Sequence, residues 1–189
     1  MRVDGILFDK DGTLFDFGTT WNSWAGLVIG HFAGDDQDLA GRVAKSIGYD
    51  LVGMAFQSDS PAIAGTNRQV AEALASALPD HSVDWLENYL VRSAVEAPLA
   101  PAVPLAPLLD GLAARGLALG VMTNDAEEGA LSHLTSAGIV DRFDFVAGFD
   151  SGFGAKPAPD PLLAFAKAMR LAPERVAMVG DSAHDLVAG

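Results

Sequence analysis

The run Ile6-Leu7-Phe8-Asp9-Lys10-Asp11-Gly12-Thr13-Leu14 places two carboxylates two residues apart, where an apolar strand ends and a glycine turn begins. Side chains alternate faces along a strand, so Asp9 and Asp11 share one side if the strand extends that far, with Lys10 on the other. A carboxylate pair at a strand end can bind a divalent cation, and its members can divide the work of nucleophile and proton carrier. Asp-X-Asp-Gly is also an ordinary loop composition, so the pair alone decides nothing. Three downstream segments bear on it. Thr123 and Asn124 follow the apolar Leu119-Gly120-Val121-Met122, and Lys156 sits in Gly152-Phe153-Gly154-Ala155-Lys156-Pro157-Ala158-Pro159. The last segment, Val179-Gly180-Asp181-Ser182-Ala183-His184-Asp185, carries a second carboxylate pair four residues apart. Each has a plain reading by itself: a solvated lysine, a threonine capping a helix, acids favoured at a helix start.

Four short apolar runs position these residues. Val3 to Phe8 ends at Asp9, Leu117 to Met122 at Thr123, Phe143 to Ala147 leads towards Lys156, and Val176 to Val179 ends at Gly180-Asp181. They are continuous rather than alternating, as expected of central strands covered on both faces. Helical segments are expected over 108–115, 127–137 and 161–170, with Gly116 and Gly138 as C-terminal caps and Asp160 as an N-cap before Pro161. Strand-helix alternation of this kind implies an open, Rossmann-like parallel α/β sheet with helices on both faces, whose ligands bind at the carboxyl ends of the strands.

Residues 18–97 break the alternation. They read as helical throughout (21–32, 38–47, 68–78 and 83–95) and end in Pro98, Pro101, Pro104 and Pro107, which favour an extended connector. The expected organisation is an α/β core of residues 1–17 and 98–189 with a helical insert, 18–97, that closes over the strand ends and excludes water. Trp21, Trp24 and Phe56 at helical spacing read as core of the insert. His31, His81 and His133 show no ligand spacing, and Asp35, Asp36 and Asp38 read as a solvated helix start rather than a calcium loop.

The bulk composition narrows the classes further. Half of the 189 residues are hydrophobic, enough for a substantial core. A net charge of −13 argues against nucleic acid and anionic membranes as partners. The absence of cysteine excludes disulfides, thiolate catalysis and cysteine-bound zinc. No secretory leader is recognisable, and no apolar stretch approaches the ~20 residues of a membrane span, so a cytoplasmic location is expected.

In order and combination, the four polar segments resemble the four motifs of the haloacid dehalogenase superfamily. The resemblance implies that Asp9 is a nucleophile forming an aspartyl-phosphate. Asp11 would protonate the departing alcohol and later take a proton from water. Thr123 and Lys156 would hold the phosphoryl oxygens, with Asn124 adding a backbone N–H. Mg²⁺ would be held by Asp9, the backbone carbonyl of Asp11, and Asp181, with Asp185 assisting. An insert placed directly after the first motif is similar to the helical cap of the phosphoglycolate-phosphatase-like subfamily. The implied function is Mg²⁺-dependent hydrolysis of a small phosphate monoester, with a phosphosugar mutase or a catalytically silent binding module as alternatives. A carboxylate at Asp11 disfavours dehalogenation. The only basic residues of the insert are Arg42, Lys45, Arg68 and Arg92, one of which phosphoglycolate would need for its carboxylate. The chain stops at Leu186-Val187-Ala188-Gly189, inside an expected helix. Low stability, or a homodimer covering the sheet edge, is expected on that ground.

Overall fold

A computed structural model describes residues 3–95 and 97–189. The chain forms two compact units, Met1–Asp16 with Leu99–Gly189, and Phe17–Pro98. Strand β1 (Gly5–Phe8) opens the first of them.

The second unit starts with a π-helical turn, Gly18–Asn22, followed by α1 (Ser23–Ala33) and α2 (Gln37–Ser46). A short antiparallel ribbon comes next, β2 (Tyr49–Asp50) against β3 (Ala55–Phe56), then α3 (Pro61–Ala64), α4 (Asn67–Ala75) and α5 (Val83–Ala94). Helices α2 to α5 begin where side chains satisfy their first N–H groups. Asp36 accepts from Leu39 N–H at 2.9 Å, Ser82 from Trp85 N–H at 3.2 Å, and Thr66 and Gln69 form a reciprocal capping box. Trp21 and Trp24 are buried with Val28, Ile47, Leu74 and Leu90, so these aromatics are core, as their spacing predicts. The ribbon corrects the all-helical expectation for this segment. Two-residue strands are too short to show a period of two, and they form because Gly48 (φ +63°) turns the chain after α2 while Asp50 accepts from Val52 N–H at 2.9 Å.

The first unit resumes with α6 (Leu105–Ala113), β4 (Ala118–Met122), α7 (Glu127–Ser136), β5 (Phe145–Ala147), α8 (Asp160–Ala168), β6 (Val176–Val179) and α9 (Ala183–Ala188). Its strands make one parallel sheet in the order β5-β4-β1-β6. Phe8, Leu119 and Val121 pack on one face with Leu105 and Leu109 of α6 and Leu134 of α7. Leu7 and Met122 pack on the other with Leu162 and Phe165 of α8 and Ala188 of α9. The alternation of Leu7 and Phe8 between two cores is why the strands read as continuous apolar runs. Gly120 is required by proximity, since a Cβ there would lie 2.7 Å from Leu7 Cδ1 and 2.9 Å from the Phe165 ring.

Two boundaries differ from the sequence reading. Helix α6 starts at Leu105, so the proline-rich stretch is not extended to its end. Pro107 falls in the first turn, where an N–H has no intrahelical partner to lose. Asp160 is the first residue of α8 rather than its cap; the cap position is Pro159, with no side-chain hydrogen bond. The end of α7 follows the expectation. Gly138 (φ +68°) donates to Thr135 O at 2.9 Å and Ile139 to Leu134 O at 3.0 Å, closing the helix over the buried pair Leu134 and Ile139.

Chain connections leave β1 towards β4 and β5 on one side and return to β6 on the other. The carboxyl ends of β4, β1 and β6 therefore flank the point where strand order reverses.

Candidate active site

The residues of the four motifs follow the carboxyl ends of the strands of this sheet. Asp9 follows β1 directly, and its N–H donates to Val179 O of β6 at 2.8 Å, so it is held in line with the strand. Thr123 and Asn124 follow β4, Lys156 lies between β5 and α8, and Asp181 and Asp185 follow β6.

The Lys156 ammonium joins the first and last motifs. Its Nζ stands 2.7 Å from Asp9 Oδ1 and 2.6 Å from Asp185 Oδ1, and all three residues are buried. Burial pushes the Asp9 carboxyl up to about 7; the Lys156 charge pulls the other way, and Asp185 and Asp11 add to the rise. Burial also opposes the charge of Asp185, but hydrogen bonds from Lys156 and Ser182 outweigh it and hold that carboxyl below the usual range. Ser182 N–H donates to Asp185 Oδ2 at 2.9 Å and its hydroxyl to the same oxygen at 2.6 Å, as part of the capping box that starts α9. Asp185 thus divides its two oxygens between the helix start and Lys156.

Asn124 has a task the sequence did not reveal. Its Oδ1 accepts from Lys156 N–H at 2.8 Å and its Nδ2 donates to Lys156 O at 3.0 Å. This buried two-point clamp fixes the backbone of the lysine loop across 32 residues of sequence. Thr123 does not cap α7; its Oγ1 accepts from Asp125 N–H at 3.1 Å, and its N–H donates to Ala147 O at 2.9 Å.

Asp9, Asp181 and Asp185 each bring a carboxylate oxygen within 4.8 Å of the others, the one group among the described residues that could hold a metal ion. An oxygen-only donor set suits a hard divalent cation such as Mg²⁺ and not zinc or copper. The chain is shaped for it. At Gly12 (φ +82°) a Cβ would lie 2.1 Å from Asp181 Oδ2, and at Gly180 one would lie 2.2 Å from Asp185 Cγ, so the two glycines admit the two carboxylates. Asp181 is the exposed member, and burial of its carboxyl, reinforced by Asp185 and Asp11, holds it above the usual range.

Asp11 departs from the simple strand geometry. The strand proper ends at Phe8, so the period of two does not carry through to Asp11. Both carboxylate oxygens of Asp11 face Lys10, at 2.9 Å (Oδ1) and 2.7 Å (Oδ2) from Nζ. Lys10 itself is fully buried, and its Nζ also lies 3.2 Å from Asp125 Oδ2 and 3.0 Å from His133 Nδ1. Burial works against the Lys10 charge, but the carboxylates of Asp11 and Asp125 outweigh it and hold the amine above its usual range. An ammonium offers only donors, so Nδ1 of His133 accepts and the ring hydrogen sits on Nε2. Asp125 and His133 escaped sequence reasoning. The available signal was a lysine lodged between two acids at the end of an apolar strand, a place where a buried cation needs partners.

The parallel sheet thus gathers Asp9, Lys156, Asp181 and Asp185 at its switch point. Residues 3–189 match the family of haloacid dehalogenase-like hydrolases, and the chain belongs to it. The phosphoglycolate phosphatase of Escherichia coli (strain K12) is 39% identical over 84 residues, which cover 44% of this chain and 33% of that protein. The N-acetylmuramic acid 6-phosphate phosphatase of Pseudomonas putida is 29% identical over 192 residues, covering 100% of this chain and 79% of that one. Among solved structures, a predicted phosphoglycolate phosphatase from Haemophilus somnus superimposes with a TM-score of 0.65 at 21% identity, over 100% of this chain and 81% of that one. That likeness concerns the fold. Among the described residues, no helix is long and apolar enough to cross a membrane.

Proposed function

We propose that this chain is a Mg²⁺-dependent phosphatase that hydrolyses a small, phosphoglycolate-like phosphate monoester through an aspartyl-phosphate. The observation that carries this reading is the Lys156 ammonium held between Asp9 and Asp185, beside Asp181, at the carboxyl ends of the strands. The names of the two relatives, both phosphatases acting on phosphorylated small molecules, support it.

In this reading Asp9 is the nucleophile. Its Oδ1 already accepts from Lys156 Nζ and from Lys10 N–H at 2.7 Å, which leaves Oδ2 to attack phosphorus in line. As the O–P bond to the alcohol breaks, Asp11 gives its proton to the departing oxygen. It then takes a proton from the water that attacks the aspartyl-phosphate, releasing phosphate and restoring Asp9. Lys156 and the Thr123 hydroxyl hold the phosphoryl oxygens, and the Asn124 clamp keeps the lysine backbone in place. Asp9, Asp181 and Asp185, with the backbone carbonyl of Asp11, would hold Mg²⁺, whose charge when bound offsets the carboxylates that face a phosphate dianion.

Substrate selection is assigned to the insert, Phe17–Pro98. Arg68 there is engaged by Asp84 and by Glu87 at 3.0 Å.

The test is phosphate release from a panel of small esters, 2-phosphoglycolate among them, with and without Mg²⁺, for the parent chain and Asp9→Asn. Mg²⁺-dependent release that Asp9→Asn abolishes is the expected result. No release from any ester would overturn the reading and favour a mutase or a silent binding module.

A further inference from the structure

The Lys10 cluster sits beside the proposed reaction centre, yet nothing in the chemistry above uses the side chains of Lys10, Asp125 and His133. Its ammonium has no exposure to solvent and meets Asp11, Asp125 and His133 at 2.7–3.2 Å. Ordering a lysine side chain costs rotamer entropy, and removing its charge from water costs more still. Apolar residues of similar volume would stabilise such a site equally well or better, so stability alone does not account for a buried ion cluster.

The cluster is also directional. Asp125 is fixed from behind, because its Oδ1 accepts from Ala126 N–H at 2.8 Å and its own N–H donates to Thr123 Oγ1 at 3.1 Å. Gly129 of α7 leaves room for it, since a Cβ there would lie 3.0 Å from Asp125 Oδ2. His133, one turn further along α7, is buried and presents Nδ1 to the ammonium. On the opposite side of Nζ both oxygens of Asp11 are in contact, and Asp11 is the most solvent-exposed member. Rotation of the Asp11 carboxylate away from this position breaks two charge-assisted bonds at once.

We infer that Lys10, braced by Asp125 and His133, is a positioning residue for Asp11: it holds the ionised carboxylate through both oxygens and, once Asp11 is protonated, through the oxygen that bears no hydrogen, so that the O–H is turned to the leaving oxygen. This rests on the phosphatase reading above. Helix α7 is thereby tied to the reaction centre through one ammonium, and His133 acts through Lys10 without touching substrate.

The reaction itself supplies a discriminating readout. An alkyl phosphate needs its departing oxygen protonated, whereas p-nitrophenyl phosphate releases p-nitrophenolate, a stable anion. Rates are measured on the full chain with both esters, the alkyl ester being the best of the panel, for the parent, Lys10→Met, His133→Leu and His133→Asn. Asparagine places its side-chain oxygen near the position of the imidazole Nδ1, so it keeps an acceptor for Lys10. Circular dichroism melts accompany each variant. In Lys10→Met and His133→Leu the alkyl rate should fall about 10- to 100-fold more than the aryl rate, part of what general acid catalysis contributes. His133→Asn should recover most of that difference. Equal losses on both esters, or no rescue by asparagine in a folded variant, would overturn the assignment and leave the phosphatase reading intact. A parent chain that releases phosphate from neither ester would overturn both.

Discussion

Replacing Gly12 by alanine separates backbone strain from a specific contact, and the structure sets the size of each. At φ +82° an L-residue is strained by about 1–2 kcal/mol. For a chain of this length that corresponds to a fall in Tm of roughly 2–8 °C, at about 2–4 °C per kcal/mol. The new methyl group would also meet Asp181 Oδ2 at 2.1 Å and Cγ at 2.5 Å, which no rotamer adjustment of a few tenths of an ångström relieves. Asp181 must therefore move, and a cation held by Asp9, Asp181 and Asp185 loses an aligned carboxylate. Mg²⁺ affinity should weaken about 10- to 100-fold, the scale seen when partners that orient a metal's ligands are lost. Gly138→Ala is the matching control: φ is +68° and nothing lies within 4 Å of its Cβ, so it carries the strain without the contact. Titration calorimetry with Mg²⁺ and thermal melts on both variants complete the comparison. Similar losses of Tm with a Mg²⁺ affinity lowered only in Gly12→Ala are expected. Unchanged affinity in Gly12→Ala, or equal weakening in both, would refute the reasoning.

Three further outcomes follow from the same geometry. Asn124→Ala leaves the buried N–H and C=O of Lys156 unpaired, at a cost of about 1–3 kcal/mol, and should lower Tm and phosphate release together; a variant as stable as the parent would show that the clamp is dispensable. Lys156→Met removes the cation between Asp9 and Asp185, so Mg²⁺ should raise its Tm by more than it raises that of the parent, and an equal or smaller rise would count against a shared cation site. The raised Asp9 carboxyl gives a pH dependence. Its folded value of about 7 exceeds the ordinary 3.8, so the metal-free protein loses the stability of the protonated form as pH rises through that interval. Mg²⁺ must displace that proton, and its effect on Tm should be larger at pH 8 than at pH 5.5; the opposite order would refute it.

Much of the fold and site was legible locally. The runs of β1 and β4 predict strands because their residues are buried on both faces, and the acids, Thr123 and Lys156 stand out as polar groups beyond the apolar runs. The Gly138 turn after α7 and the Asp36 cap of α2 were readable for the same reason, since a positive φ and a side-chain cap involve residues at most a few positions apart. The β2–β3 ribbon was not legible, being too short for any period, nor was the helical start at Leu105, where proline's local cost vanishes in the first turn.

The sequence by itself thus determined which residue types stand at the strand ends and which segments carry them, because hydrophobic periodicity and turn chemistry are written in neighbouring residues. Tertiary structure alone decided what those residues touch. Lys10 meets His133 across 123 positions because β1 pairs with β4 and α7 packs on one face of that pair, and Asn124 clasps Lys156 across 32 because β4 pairs with β5. A one-residue change of register would turn the side chains of the shifted strand to the other face and displace the loop that follows it, and no local pattern records which register the packed core selects.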